Sequence, residues 1–293
     1  HTCAILDNGD LMCWGRDTDG QLGTPGTNTN TYAPSSTAID LGTGRTAVAV
    51  SAGEAHSCAI LDNGDLKCWG DDDYGQLGLG SSIHTDLPAP SPTAIDLGTG
   101  RTAVAVSAGK DFTCAILDNG DLKCWGAAAN GQLGNGNTIN LQAPPSTAID
   151  LGTGRTAVTF AAGIDHTCAV LDNGDVKCWG LNGYGQLGTG TNEGVKRPAS
   201  VALAYEVHQL TAGEGHTCGR GVNGEVFCWG WNEYGQLGNG TTVTDEGAWL
   251  PEAVSGLDNV KDLGGGARHN CATRADGTGR CWGRNEFGQL GNG

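Results

Sequence analysis

The sequence predicts an all-β protein made of six repeated antiparallel sheets. Three observations predict it. One unit is written six times, each copy opening on a cysteine: Cys3, Cys58, Cys114, Cys168, Cys218 and Cys271, at steps of 55, 56, 54, 50 and 53 residues. A second cysteine always follows ten residues later, with a turn dipeptide midway. No segment of useful length carries a helical hydrophobic period, whereas period-2 runs such as Thr46–Gly53 and Thr102–Gly109 recur.

The first element of each unit is a hairpin. The cysteine pairs are Cys3 with Cys13, Cys58 with Cys68, Cys114 with Cys124, Cys168 with Cys178, Cys218 with Cys228, and Cys271 with Cys281. Their midpoints are Asn8, Asn63, Asn119, Asn173, Asn223 and Asp276, each followed by glycine. A three-residue hairpin loop ends on a left-handed residue, which glycine tolerates best. With Asp7-Asn8-Gly9 as that loop, Ile5 faces Leu11, Ala4 faces Met12 and Cys3 faces Cys13. The cysteines then form a non-hydrogen-bonded pair with Cα atoms ~4.5 Å apart, within reach of a disulfide. Six intra-hairpin disulfides are expected. The rival readings are twelve free buried thiols, or zinc, for which a hairpin offers only two thiolates.

The second element is Trp-Gly, at Trp14, Trp69, Trp125, Trp179, Trp229 and Trp282. Pleat alternation puts each Trp on the opposite sheet face from its cysteine neighbour, suited to packing against the next sheet. The third is Gly-Gln-Leu-Gly, from Gly20–Gly23 in the first unit to Gly288–Gly291 in the last. The fourth is a variable Thr/Asn/Gly/Pro-rich linker ending in the period-2 strand. The units run approximately 1–45, 46–101, 102–155, 156–206, 207–259 and 260–293, as a single repeat domain over 1–293. The first four units are near copies; the last two have drifted. The first linker strand is missing before His1, so the 293 residues are expected to be a window of a longer chain.

Composition narrows the function. The chain has 51 glycines, 12 cysteines and a formal charge of −16. That charge weighs against nucleic acid and anionic membranes as partners. No apolar run approaches the ~20 residues of a membrane helix, so no membrane insertion is expected. Paired cysteines imply an oxidising compartment.

The pattern Gly-x-x-His-Thr-Cys-Ala…Asp-x-Gly…Cys-Trp-Gly-x-Asn-x-x-Gly-Gln-Leu-Gly resembles the repeat of the regulator of chromosome condensation family, over the whole chain. The resemblance implies a β-propeller of four-stranded antiparallel blades, with six or seven blades. It also implies guanine-nucleotide exchange, that family's founding activity. Cytosolic and nuclear members lack such paired cysteines. The DLGTGRTAVAVSAG linkers resemble bacterial secreted and cell-surface members.

Chemistry-bearing residues come next. His1, His56, His166, His216 and His269 recur at one position, with Phe112 in the third unit. Equivalent residues of successive blades lie too far apart for one ion, so structural histidines bonded to backbone are expected. Asp71–Asp73 and Asp17-Thr18-Asp19 resemble calcium loops but do not meet the EF-hand pattern. Asp40, Asp96 and Asp150 precede Arg45, Arg101 and Arg155 by five residues, suggesting a local ion pair bracing the intervening turn. No nucleophile elbow, phosphate loop or metalloprotease motif occurs. No catalytic residue, metal or cofactor is assigned.

Variable loops remain as binding candidates. Loops between Trp-Gly and Gly-Gln-Leu-Gly hold Tyr74, Tyr184, Trp231, Tyr234 and Phe287. These residue types make hot spots, although they also pack on neighbouring blades. The loop Asn239–Glu252 holds Trp249 and Asp245-Glu246, and it is the preferred specificity loop. The sequence therefore reads as a non-enzymatic extracellular, cell-surface or periplasmic scaffold whose loops bind a protein partner or serve adhesion. The alternative is a self-assembling structural subunit of a surface layer or filament. Nucleotide exchange ranks third.

Overall fold

The computed structural model describes residues 1–26, 29–80, 85–203 and 206–292, and in 243–246 the backbone only. Parts of the linkers Thr24–Thr37 and Leu79–Thr93, and the side chains of Asp245 and Glu246, lie outside the described residues.

Every described strand pair is antiparallel, and the strands form six sheets in sequence order. The first sheet pairs β1 (Thr2–Ile5) with β2 (Leu11–Trp14). The second joins β3 (Ala47–Ala52), β4 (His56–Leu61) and β5 (Leu66–Gly70). The third joins β6 (Ala103–Ala108), β7 (Phe112–Leu117) and β8 (Leu122–Gly126). The fourth has β9 (Ala157–Ala162), β10 (His166–Leu171), β11 (Val176–Gly180) and β12 (Val195–Ser200). The fifth has β13 (Val207–Ala212), β14 (His216–Gly221), β15 (Val226–Asn232) and β16 (Val243–Ala253). The sixth has β17 (Val260–Gly265), β18 (His269–Arg274) and β19 (Gly279–Gly283).

Four strands are expected per sheet, and two sheets reach that number. In the first three the outer strand shrinks to a single bridge, Gly15↔Thr31, Gly70↔Leu87 or Gly126↔Leu141. In two of these, prolines that lack the N–H a ladder needs follow the bridge residue, Pro88 and Pro90 or Pro144 and Pro145; β12 and β16 each keep a strand around a single proline, Pro198 and Pro251.

The chain forms two compact units. One is His1–Ala129 with Thr138–Ile149; the other is Asn130–Asn137 with Asp150–Gly293.

The hairpin register is the expected one. Cys3 pairs with Cys13, Ala4 with Met12 and Ile5 with Leu11, and each later hairpin repeats the cysteine pairing. Gly9 sits at φ +83°, and its N–H donates to the Leu6 carbonyl. Asn8 Oδ1 accepts from the Asp10 N–H, so the Asp-Asn-Gly-Asp turn is self-bonded.

All six disulfides are formed as expected: Cys3 with Cys13, Cys58 with Cys68, Cys114 with Cys124, Cys168 with Cys178, Cys218 with Cys228, and Cys271 with Cys281. Among the described residues no cysteine is free. The Cα atoms lie 4.0–4.1 Å apart. That is closer than the ~4.5 Å of an ordinary non-hydrogen-bonded pair, a correction to the expected spacing. Each closed loop should stabilise its hairpin by roughly 2–3 kcal/mol.

The disulfides differ in exposure. The four inner pairs, which include Cys124, Cys178 and Cys228, are buried, whereas Cys3, Cys271 and Cys281 are partly open. Mild thiol reduction under native conditions should therefore open Cys3–Cys13 and Cys271–Cys281 at least about tenfold faster than the inner four. Alkylation followed by peptide mass mapping reads the order.

Each sheet has a cysteine face and a tryptophan face. The cysteine face looks forward: Cys58, Ile60, Leu66 and Cys68 pack with Ala115, Leu117 and Trp125 of the following repeat. The tryptophan face looks back, correcting the expected direction. Trp69, Trp125, Trp179, Trp229 and Trp282 each donate Nε1–H to a glutamine carbonyl of the preceding Gly-Gln-Leu-Gly, namely Gln21, Gln76, Gln132, Gln186 and Gln236, at 2.9–3.1 Å. A second donor reaches the same carbonyl, from Ser57, Thr113, Thr167, Thr217 or Asn270. Alternation alone assigns a residue to a face, but not to a neighbour. The close approach requires glycine: a Cβ on Gly78, at φ +72°, would lie 2.5 Å from Trp125 Nε1.

Candidate protein-recognition site

Five of the six loops after Trp-Gly are built by one polar residue each; the third has Ala128 in that place. Asn182 and Asn232 accept the N–H of Leu187 and Leu237 and donate Nδ2–H to the carbonyls of Thr191 and Thr241. Asp17, Asp72 and Asn285 accept the equivalent leucine N–H. Glutamine side chains add a second clamp: Gln186 Oε1 accepts from the Tyr184 N–H and Gln236 Oε1 from the Tyr234 N–H. The aromatic residue before Gly-Gln-Leu-Gly is thus held by its own backbone.

In the second compact unit these loops make a row. Tyr184 stacks on Trp231 at 5.3 Å, and Trp231 meets Tyr234 edge-on at 5.5 Å. The Arg268 guanidinium lies 5.0 Å from the Trp231 ring and 5.5 Å from the Tyr234 ring. Arg284 lies 5.2 Å from Tyr234 and 5.3 Å from Phe287. Two carboxylates complete the row, Glu214 on Arg268 and Glu286 on Arg284. The Glu214 hydrogen bonds hold the Arg268 guanidinium above its ordinary pKa. Rigid aromatics with arginines fixed between them form an amphipathic surface of the kind that anchors protein partners.

The six candidates fare differently. Tyr184, Trp231, Tyr234 and Phe287 come together; Trp231 is only 7% exposed, so its ring is the row's buried support, whereas Phe287 is 82% exposed. Trp249 lies beside Gly185 of the fourth repeat, where its Cδ1 would sit 2.6 Å from an added Cβ. Tyr74 is exposed in the other compact unit. Arg268, Arg284, Glu214 and Glu286 were not singled out by sequence. The available signal was that Arg268 and Glu214 occupy the two variable places of Gly-x-x-His.

The three expected local ion pairs differ. Arg45, Arg101 and Arg155 pair with Asp62, Asp118 and Asp172, at 3.1–3.3 Å, instead of Asp40, Asp96 and Asp150. Asp40, Asp96 and Asp150 instead accept the N–H of Gly42, Gly98 and Gly152, an Asx turn that leaves the carboxylate facing its own loop. The pairs are open to solvent and worth well under ~1 kcal/mol each.

The histidines bond side chain to side chain, not to backbone. His56 Nε2 meets Thr113 Oγ1 at 2.9 Å, and His166 Nε2 meets Thr217 Oγ1 at 2.8 Å. Each hydroxyl donates to a glutamine carbonyl, so it accepts from the imidazole, which assigns the Nε2–H tautomer. Nδ1 of His56, His166 and His216 is buried without a partner. Burial pushes His56 and His216 down to about 4 and, helped by the neighbouring His216, His166 to about 3.

In the Asp71–Asp73 segment, carboxylate oxygens of Asp71, Asp73 and Asp86 lie within 4.8 Å of one another. Desolvation, with these neighbours, raises the Asp71 pKa. No described helix is long and apolar enough to cross a membrane.

Known proteins share this architecture. The family described as RCC1-like domain matches residues 1–293. The ultraviolet-B receptor UVR8 of Arabidopsis thaliana is 34% identical over 298 residues, covering 100% of this chain and 65% of the receptor. The chain thus spans just under two thirds of that relative. Among solved structures, human WBSCR16 aligns with a TM-score of 0.81 and 26% identity, over 96% of this chain and 73% of the other. Yeast RCC1 (Prp20), solved bound to Kap60, aligns with a TM-score of 0.85 over 99% of this chain and 69% of the other. At 21% identity, that last likeness concerns the fold alone.

Proposed function

This chain belongs to the RCC1-like domain family of β-propeller repeats, and from that premise we propose that it is a non-enzymatic scaffold that binds a protein partner through its loop row. The observation that carries the reading is the continuous row Tyr184–Trp231–Arg268–Tyr234–Arg284–Phe287. It is rigid before binding, because backbone clamps and ring contacts fix each member, so little ordering entropy is lost on docking. The loops that carry it are those that vary between repeats, whereas the disulfides and seams are common to all. Six disulfides favour a working compartment outside the reducing cytosol: the extracellular space, a cell surface or a periplasm. Yeast RCC1 bound to Kap60 supports protein recognition as a use of this fold.

The test is capture from native surface extracts by immobilised protein, followed by affinity measurement. Tyr184→Ala and Arg268→Ala should each weaken the captured partner at least about tenfold, while Arg45→Ala should leave it unchanged. Equal binding by all three variants would overturn the assignment of the row.

A further inference from the structure

The seam between successive repeats joins the cysteine face of one sheet to the tryptophan face of the next. An indole there packs on a disulfide that is not its neighbour in sequence. Trp125 follows Cys124, but it packs in one cluster with Cys58 and Cys68 of the preceding repeat. Trp229 follows Cys228 and packs with Cys168 and Cys178. Both indoles and both disulfides are fully buried, at 0% exposure. Each of the two seams lies within one compact unit.

A polar path runs beside each apolar contact. Trp125 Nε1–H donates to the Gln76 carbonyl at 3.1 Å, and Thr113 Oγ1–H donates to the same oxygen at 2.8 Å. That hydroxyl lies 3.7 Å from Cys58 Sγ and accepts from His56 Nε2–H at 2.9 Å. The second seam repeats the path: Trp229 and Thr217 both donate to the Gln186 carbonyl at 2.9 Å, and the Thr217 hydroxyl lies 3.8 Å from Cys168 Sγ and 2.8 Å from His166 Nε2. Burial keeps dissolved thiols from these bonds while the fold is closed. Light is not excluded in that way. An excited indole is a one-electron donor, and a disulfide held in contact with it is an acceptor.

We propose that the seam tryptophans are sites of light-driven modification: excitation of Trp125 breaks Cys58–Cys68, and excitation of Trp229 breaks Cys168–Cys178. The excited indole passes one electron to the disulfide, whose radical anion parts into a thiolate and a thiyl radical. Cys58 takes the negative charge, because the Thr113 hydroxyl touches its sulfur and a donor beside a thiolate favours it. The Cys68 thiyl couples to the indole radical cation. A C–S bond forms on the ring, and the ring proton that it displaces ends on Cys58. Indole and disulfide thus become a thioether and a thiol. Two electrons leave the indole, two reach the disulfide, and no outside oxidant or reductant is consumed. Trp229 joins Cys178 in the same way and leaves Cys168 as the thiol. The product is a covalent bond between successive repeats, which the disulfides, each confined to one hairpin, do not supply. The proposal does not depend on the loop row.

The test is irradiation of the folded, oxygen-free protein at the red edge of indole absorption, followed by alkylation and peptide mass mapping. Thioethers joining Trp125 to Cys68 and Trp229 to Cys178 are expected, with Cys58 and Cys168 alkylated as free thiols. Trp125→Phe, checked as folded by circular dichroism, should abolish the reaction at Cys58–Cys68 and leave that at Cys168–Cys178 unchanged. Trp69→Phe, checked in the same way, should leave Cys58–Cys68 reactive, although Trp69 is the residue next to Cys68. Intact disulfides after irradiation, disulfides opened without thioethers, or a Cys58–Cys68 yield that follows Trp69 instead of Trp125 would each overturn the proposal.

Discussion

Trp125→Ala should destabilise the protein by about 4 kcal/mol, and Trp125→Phe by only about 1 to 2. The alanine variant leaves an indole-sized gap in the cluster of Cys58, Ile60, Leu66, Cys68 and Leu117. The disulfides hold each hairpin in register, so the walls cannot collapse to fill it. Phenylalanine keeps most of the volume and loses the Nε1–H donor to Gln76. That carbonyl retains Thr113 Oγ1, so the loss is one hydrogen bond, not a buried orphan. Gly78→Ala should also cost more than about 2 kcal/mol, since it forces a side chain into a positive φ against the indole. Gly78→Ala with Trp125→Ala should cost less than the sum, because removing the ring removes the clash. Urea unfolding under oxidising conditions measures all four values. A Trp125→Ala loss below about 1 kcal/mol would mean that the seam does not hold the repeats together.

Stability should also fall steeply as pH drops from 6.5 to 4. His56, His166 and His216 ionise near 6.5 in the unfolded chain, but only at about 4, about 3 and about 4 when folded. Between those values the unfolded state binds protons that the folded state refuses. The stability these neutral rings allow is therefore complete above pH 6.5 and is lost as pH falls toward their folded pKa values. Each buried imidazole accounts for about 3 kcal/mol, and the decline levels off once the folded rings protonate. The third repeat supplies the control, because Phe112 fills the same position fully buried. His56→Phe should remove about one third of the histidine-linked pH dependence and leave stability at pH 7 within about 1 kcal/mol. Thermal melts from pH 7.5 to 4 provide the check. A flat profile, or one unchanged by His56→Phe, would refute the assignment.

The hairpins were legible to the residue. A glycine that must be left-handed follows the residue midway between the cysteines of each pair, and counting outward from that turn leaves one register. Tryptophan as core was legible for the same reason. Its direction was not, because pleating says that Trp69 and Cys68 part company, but not which neighbour each meets. The Arg45 partner was misread from chain proximity. Asp40 is spent on its own turn, while pairing of β3 with β4 brings Asp62 back across the sheet. Lys67 and Lys123 are buried and donate to the carbonyls of Leu41 and Leu97, although a lysine suggests solvent. Their parity with Trp69 and Trp125 was the signal. The binding row was half legible: its aromatics stood out by type, but the arginines between them come from the following repeat. Only the seam brings Arg268 over Trp231.

The two-sided seam has a consequence for heredity. A joint that reads the same at every repeat tolerates recombination between the coding copies. Excising residues 58–113 would join Ser57 directly to Cys114, and the text that follows, CAILDNGDLKCWG, is letter for letter what was removed. Gln21 would then receive Trp125 as it now receives Trp69. Unequal crossing-over can thus lengthen or shorten such a gene one whole tile at a time without writing a new interface, and selection remains free to rewrite the loops.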